Sequence, residues 1–121
     1  MSPFHGNIST RESGRRGEDL VCERLGARGF KIIDRNVTEK FAEIDIIAED
    51  GDTLCFIEVR TRNDTLLGHP AETVDARKQA TIRRAAEAYL VRRRVEPRPM
   101  RFDVATIIWS TGAFEYFENA F

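Results

Sequence analysis

Cysteine, histidine and long apolar runs are all scarce in this chain of 121 residues, and each scarcity removes a class of function. The two cysteines, Cys22 and Cys55, lie in LVCERL and TLCFIEV, among apolar neighbours, as small buried thiols do. A disulfide-stapled scaffold is therefore not expected. The only histidines are His5 and His69, and no Cys or His recurs at zinc-ligand spacing, which argues against a zinc centre and Cys–His catalysis. No run of about 18 apolar residues offers a membrane span, and MSPFHGNISTRESGRRG at the start has no hydrophobic signal core. A reducing, cytoplasmic setting and no membrane partner follow as expectations. An excess of one charge is missing too: 19 Lys and Arg meet 20 Asp and Glu, and a net charge of −1 argues, as a sum, against a nucleic-acid partner.

What is present changes that last inference. Apolar residues at 41% and charged residues at 32% describe one globular domain. A chain of this size hides roughly two-thirds of its unfolded surface, enough for a core without staples. The charge is unevenly spread. Between Arg77 and Arg101 stand nine basic residues against Glu87 and Glu96 alone, so a basic segment is cancelled by an acidic body. Such asymmetry points to an anionic partner or to an internally paired surface.

Residues 1–11 are polar and aperiodic and read as a loose tail, leaving 12–121 as a single domain. From about Glu12 to Arg28 the apolar Val21, Cys22 and Leu25 follow helical spacing, and Gly29 suits a helix end. FKIIDRNV (30–37), FAEIDIIAE (41–49) and TLCFIEVRTR (53–62) read as three strands of a meander, with a turn at Asp50-Gly51-Asp52. Asn63 to Thr73, with Gly68 and Pro70, reads as a long loop. A second helix spans Asp75 to about Arg93, with Ile82, Ala85, Ala86, Tyr89 and Leu90 on one face. MRFDVATIIW (100–109) and AFEYF (113–117) supply further strands. The order αβββαβ with a terminal strand implies a mixed α/β sheet with helices on its faces.

The central strands carry charge where cores usually do not. Strict alternation puts Glu43, Asp45 and Ile47 on one face of their strand, and Phe56, Glu58, Arg60 and Arg62 on one face of the next. The turn at 51–52 then pairs Asp45 with Glu58 or sets them one diagonal apart, so that two carboxylates share one side of the sheet. Such a pair needs a proton, a basic partner or a metal ion, and Mg²⁺ is commonly held by one or two carboxylates. Pairing of the acids by Arg60 and Arg62 is the competing reading. Glu18 leads the core-facing stripe Val21, Cys22, Leu25, and Gln79 leads that of the second helix. Alone, Glu18 also fits an acid complementing a helix dipole, and Gln79 an exposed amide.

The acid on the first helix, the Asp of EID, the Glu of FIEVR and the αβββα order resemble the PD-(D/E)XK nuclease superfamily, with its restriction-endonuclease-like fold. More closely, the chain resembles the small bacterial YraN-like family of uncharacterised, Holliday-junction-resolvase-like endonucleases. GRRGEDLVCERLGARGFKIIDRN, AEIDIIAEDGDTLCFIEVRTR, Gly68-His69-Pro70, RFDVATI and the terminal ENAF follow its layout over about 14–121. The resemblance implies that Asp45 and Glu58 bind Mg²⁺ or Mn²⁺, with Glu18 as an auxiliary acid, the Val59 main-chain carbonyl as a further ligand, and Gln79 as a helper. The chemistry implied is hydrolysis of phosphodiester bonds in DNA, with branched or structured DNA as the candidate substrate.

Two departures stand out. Arg60 replaces the signature Lys and, being always protonated, cannot serve as a base, though it can steady transition-state charge. Ala42 precedes EID where the family tends to have Gly. Lys78 could also project into the site from the second helix. Arg62, Arg77, Lys78, Arg83 and Arg84 are the expected phosphate contacts, which supply affinity without sequence preference. Arg92, Arg93 and Arg94 suit a helix C-terminus equally well. Cutting two strands takes two sites, which makes a homodimer the assembly to look for. A non-catalytic nucleic-acid-binding or interaction module on the same fold is the alternative.

Overall fold

The first helix, α1 (Thr10–Ala27), ends where the chain takes on a left-handed turn: Gly29 sits at φ 91°, and the Phe30 N–H donates back to the Leu25 carbonyl. The computed structural model describes residues 10–40, 42–62 and 74–121, with the backbone alone for 10–14. The expected tail lies outside the described residues except for Thr10 and Arg11, which open α1. The loop expected at Asn63 to Thr73, His69 included, lies outside them as well.

Strands β1 (Lys31–Thr38), β2 (Glu43–Asp50) and β3 (Thr53–Arg62) form the expected antiparallel meander, with Gly51 at φ 60° in the turn. Helix α2 (Ala76–Arg92) begins at Asp75, whose carboxylate accepts the Lys78 N–H. It carries the chain back so that β4 (Met100–Ile108) runs parallel to β3, and β5 (Ala113–Phe117) returns antiparallel. The sheet order β1-β2-β3-β4-β5 makes β3 its centre. This is the mixed α/β, restriction-endonuclease-like αβββαβ core expected from the sequence, with β5 as the terminal strand.

Each sheet face has its own core. On one, Val21 and Leu25 of α1 pack on Ile46, Ala48, Cys55, Ile57, Ala105 and Ile107. On the other, Ala85, Ala86 and Tyr89 of α2 pack on Val37, Ile44, Ile47, Leu54 and Phe56. In β3 the alternation expected from the sequence holds. In β2 it does not: Ile44 belongs with Ile47, on the face opposite Ile46 and Ala48. The alternation resets beside Asp45, where the β2–β3 ladder ends at Ile46–Ile57 while β1 still pairs with β2 at Val37–Ile44 and Thr38–Glu43.

A fully buried acid anchors the last part of the fold. Asp103 in β4 accepts from the Arg101 guanidinium, the Tyr116 hydroxyl and the Asn119 N–H. The Ala120 N–H donates to the Phe102 carbonyl, and Phe121 lies against the Phe102 ring. The terminal ENAF is thus tied to RFDV.

Candidate metal centre

Glu18 reaches the sheet because its neighbour has no side chain. A Cβ on Gly17 would stand 2.6 Å from the Thr61 Cγ2, so α1 lies on β3 at a separation that only glycine permits. The Glu18 side chain is consequently 14% exposed. From β1, a bulge between Ile32 and Asp34 and the left-handed Asn36 (φ 49°) turn polar groups toward it. Asn36 hydrogen-bonds the Glu18 carboxylate, while Arg35 lies 3.9 Å from it and 2.6 Å from Asp19.

Where the β2–β3 ladder stops, Asp45 takes over the role of a backbone partner: its Oδ2 accepts the Val59 N–H at 2.8 Å. Carboxylate oxygens of Glu18, Glu43 and Asp45 all lie within 4.8 Å of one another. Continuing the register by one pair sets Asp45 opposite Glu58, as the turn arithmetic required. Glu58 follows Phe56 on the α2 side, where the Lys78 Nζ stands 2.8 Å and the Arg60 Nη2 3.8 Å from its Oε1. Asp45 gathers with Glu18 of α1 and with Glu43, and the Glu58 charge also acts on it.

This crowding has an electrostatic price. Burial, and next the Glu58 charge, push the Asp45 carboxyl up to about 7 against the pull of the Val59 N–H; Glu18 and Glu43 push the same way. Burial likewise raises Glu18, opposed by the Asn36 hydrogen bond and the Arg35 charge. Converging, partly desolvated carboxylate oxygens are hard donors, and a small divalent cation such as Mg²⁺ or Mn²⁺ fits such a set.

The remaining expectations resolve unevenly. Gln79 commits its amide N–H to the Val74 carbonyl at 2.8 Å. The Arg83 guanidinium stacks 4.5 Å over Phe102 and 5.9 Å from the Phe121 ring centre, a packing role. Arg92 pairs with Glu39, Arg98 with Glu49, and Arg101 with Asp50 and Asp103. With Lys78 on Glu58, four of the nine basic residues of the segment are paired with acids inside the molecule. Arg77 and Arg84 are exposed on α2, and Arg62 is half-buried at the end of β3. Cys22 and Cys55 are free, and burial pushes the Cys55 thiol up to about 12. Among the described residues no helix is long and apolar enough to cross a membrane.

Sequence reasoning did not single out Glu43, Arg35 or Asn36 as site residues. Glu43 carried a signal, since it stands two places before Asp45. Asn36 announced itself only in the structure, through its left-handed backbone.

A mixed sheet between two helices, with acids gathered where two antiparallel strands part, defines a restriction-endonuclease-like domain. The chain belongs to the uncharacterised protein family UPF0102, whose model matches residues 17–107, as the YraN-like resemblance anticipated. It is 42% identical over 118 residues to a UPF0102 protein of Dictyoglomus thermophilum, covering 94% of this chain and all of that one. A UPF0102 protein of Chlorobium limicola is 48% identical over 95 residues, 78% of this chain and 74% of the relative. That of Pseudomonas aeruginosa is 37% identical over 118 residues, 93% and 94% of the two chains.

Proposed function

We propose that this protein is a metal-dependent endonuclease that hydrolyses phosphodiester bonds in DNA, with branched DNA as its preferred substrate. The observation that carries the reading is the convergence of Glu18, Glu43 and Asp45 within 4.8 Å, with Glu58 facing Asp45. Asp45 and Glu58, aided by Glu18 and the Val59 carbonyl, hold Mg²⁺ or Mn²⁺. A cation held by these residues would supply charge neutralisation for the phosphodiester and a more acidic bound water as nucleophile. Asn36 fixes the Glu18 carboxylate through its hydrogen bond, and Arg60 holds a permanent positive charge beside Glu58. Arg77 and Arg84 contact flanking phosphates. The protein works in the cytoplasm, in keeping with its two free thiols, and as a homodimer when two strands are cut.

The internal pairing of Arg92, Arg98 and Arg101 favours a second reading, a non-catalytic interaction module. Incubating a four-way junction and a linear duplex with the protein and Mg²⁺ or Mn²⁺ separates the two. Metal-dependent cleavage that Asp45→Ala and Glu58→Ala abolish is expected. Binding without such cleavage assigns the module instead.

A further inference from the structure

Glu58 already has a cation on it. Its side chain is 7% exposed, and the Lys78 ammonium stands 2.8 Å from Oε1, closer than Arg60 at 3.8 Å. A divalent ion that took this oxygen as a ligand would sit at about 2.1 Å from it, within a few ångströms of the ammonium. Two cations so close repel each other, so metal and Lys78 compete for one carboxylate.

Lys78 is built to yield. Its backbone is pinned from both sides: the N–H by Asp75 Oδ1 at 2.8 Å, and the carbonyl by the Thr81 hydroxyl at 2.9 Å. Its side chain is 44% exposed and turns on four flexible bonds. The chain has only three lysines, Lys31, Lys40 and Lys78, among 19 basic residues, and every other basic residue of α2 is Arg. The compact, movable ammonium therefore occurs on α2 only where it meets the buried acid. Once released, it stays within a side chain's length of Glu58, near which a phosphate held by the cation would lie.

We propose that Lys78 is a substrate-contacting residue held on Glu58 until a divalent cation takes that carboxylate, when its ammonium passes to a non-bridging oxygen of the scissile phosphate. The inference rests on the nuclease reading above and adds a movable cation beside the fixed charge of Arg60. Lys78 forms no covalent bond; it exchanges one anionic partner for another. A structural ion pair would behave differently. Its loss would weaken metal binding and cleavage together, whereas a competitor's loss strengthens the first and harms the second.

The test titrates Ca²⁺ calorimetrically into wild type, Lys78→Met, Lys78→Arg and Glu58→Gln, without DNA. Single-turnover cleavage is then measured at saturating Mg²⁺. Lys78→Met is expected to bind Ca²⁺ about tenfold more tightly than wild type. It should also cleave about 100-fold more slowly, the scale of losing one charged contact to the transition state. Lys78→Arg should keep the wild-type Ca²⁺ affinity and recover part of the rate. Unchanged or weaker Ca²⁺ binding in Lys78→Met, or an unchanged rate, overturns the proposal while leaving the nuclease reading intact. If wild type binds Ca²⁺ no better than Glu58→Gln and cleaves nothing, both fall. A measurement on wild type alone guards against misfolding: acylation of Lys78, followed by mass spectrometry with Lys31 and Lys40 as references, should speed up when Ca²⁺ is added. No change in Lys78 reactivity also overturns the proposal.

Discussion

Asp45 and Asp103 are both acids on interior strands, and they sit in opposite circumstances. Asp103 is fully buried and surrounded by donors: Arg101, Tyr116 and the Asn119 N–H all point at it. Asp45 accepts from the Val59 N–H and otherwise faces Glu58, Glu18 and Glu43. The first carboxylate is the finished centre of a network that ties the C-terminus to β4. The second sits among like charges, which a folded chain tolerates when a cation completes the set. Burial alone thus says little about an acid's purpose; the sign of its neighbours says more.

The largest effect should come from breaking the finished network. Asp103→Ala leaves Arg101 without its main partner and the Tyr116 hydroxyl without its acceptor. A loss of about 3–5 kcal/mol in denaturant unfolding is expected, a cost typical of removing one member of a buried pair. A loss below about 1 kcal/mol would show that the network is dispensable.

Asp45→Asn should act in the other direction. With its carboxyl held at about 7 in the folded state, Asp45 keeps a proton that the unfolded chain gives up near pH 4. Stability therefore falls as pH rises from about 4 to about 7, and stays at the lower level above that. In chelator at pH 8, Asp45→Asn should be more stable than wild type by about 2–4 kcal/mol, with the advantage gone at about pH 3.5. Thermal melts at the two pH values check this, and an Asn variant less stable at pH 8 would erase the contrast with Asp103. The same substitution should abolish stabilisation by Mg²⁺.

The smallest effect sharpens the comparison at the protein surface. Arg83→Ala removes the cation lying over Phe102 and should cost about 0.5–1 kcal/mol. It should leave the salt dependence of DNA binding unchanged, whereas Arg77→Ala should reduce that slope by about one. Equal slopes in both variants would return Arg83 to the DNA surface.

The sequence is legible wherever the information is local. The α1 stop at Gly29, the Asp50-Gly51-Asp52 turn, the β3 alternation and the opposition of Asp45 and Glu58 all follow from spacing along a few residues. The reset of the alternation beside Asp45 does not, because it falls where the β2–β3 ladder ends, and that end depends on pairing between strands. Glu43 joins the acids only once α1 has been packed against β3. The charge sum misled for the same reason. Lys78, Arg92 and Arg98 meet their acids across 20, 53 and 49 residues, and Arg101 reaches Asp50 across 51, distances no local pattern spans.

Gly17 has a meaning for how this chain can vary. A single absent methyl group sets the gap between helix and sheet, and with it how far a two-carbon acid at the next position can extend. A Cβ there would meet the Thr61 methyl group at 2.6 Å, so the helix–strand contact beside Glu18 would have to shift. The position therefore works as a gauge: it measures the site without touching anything that binds in it.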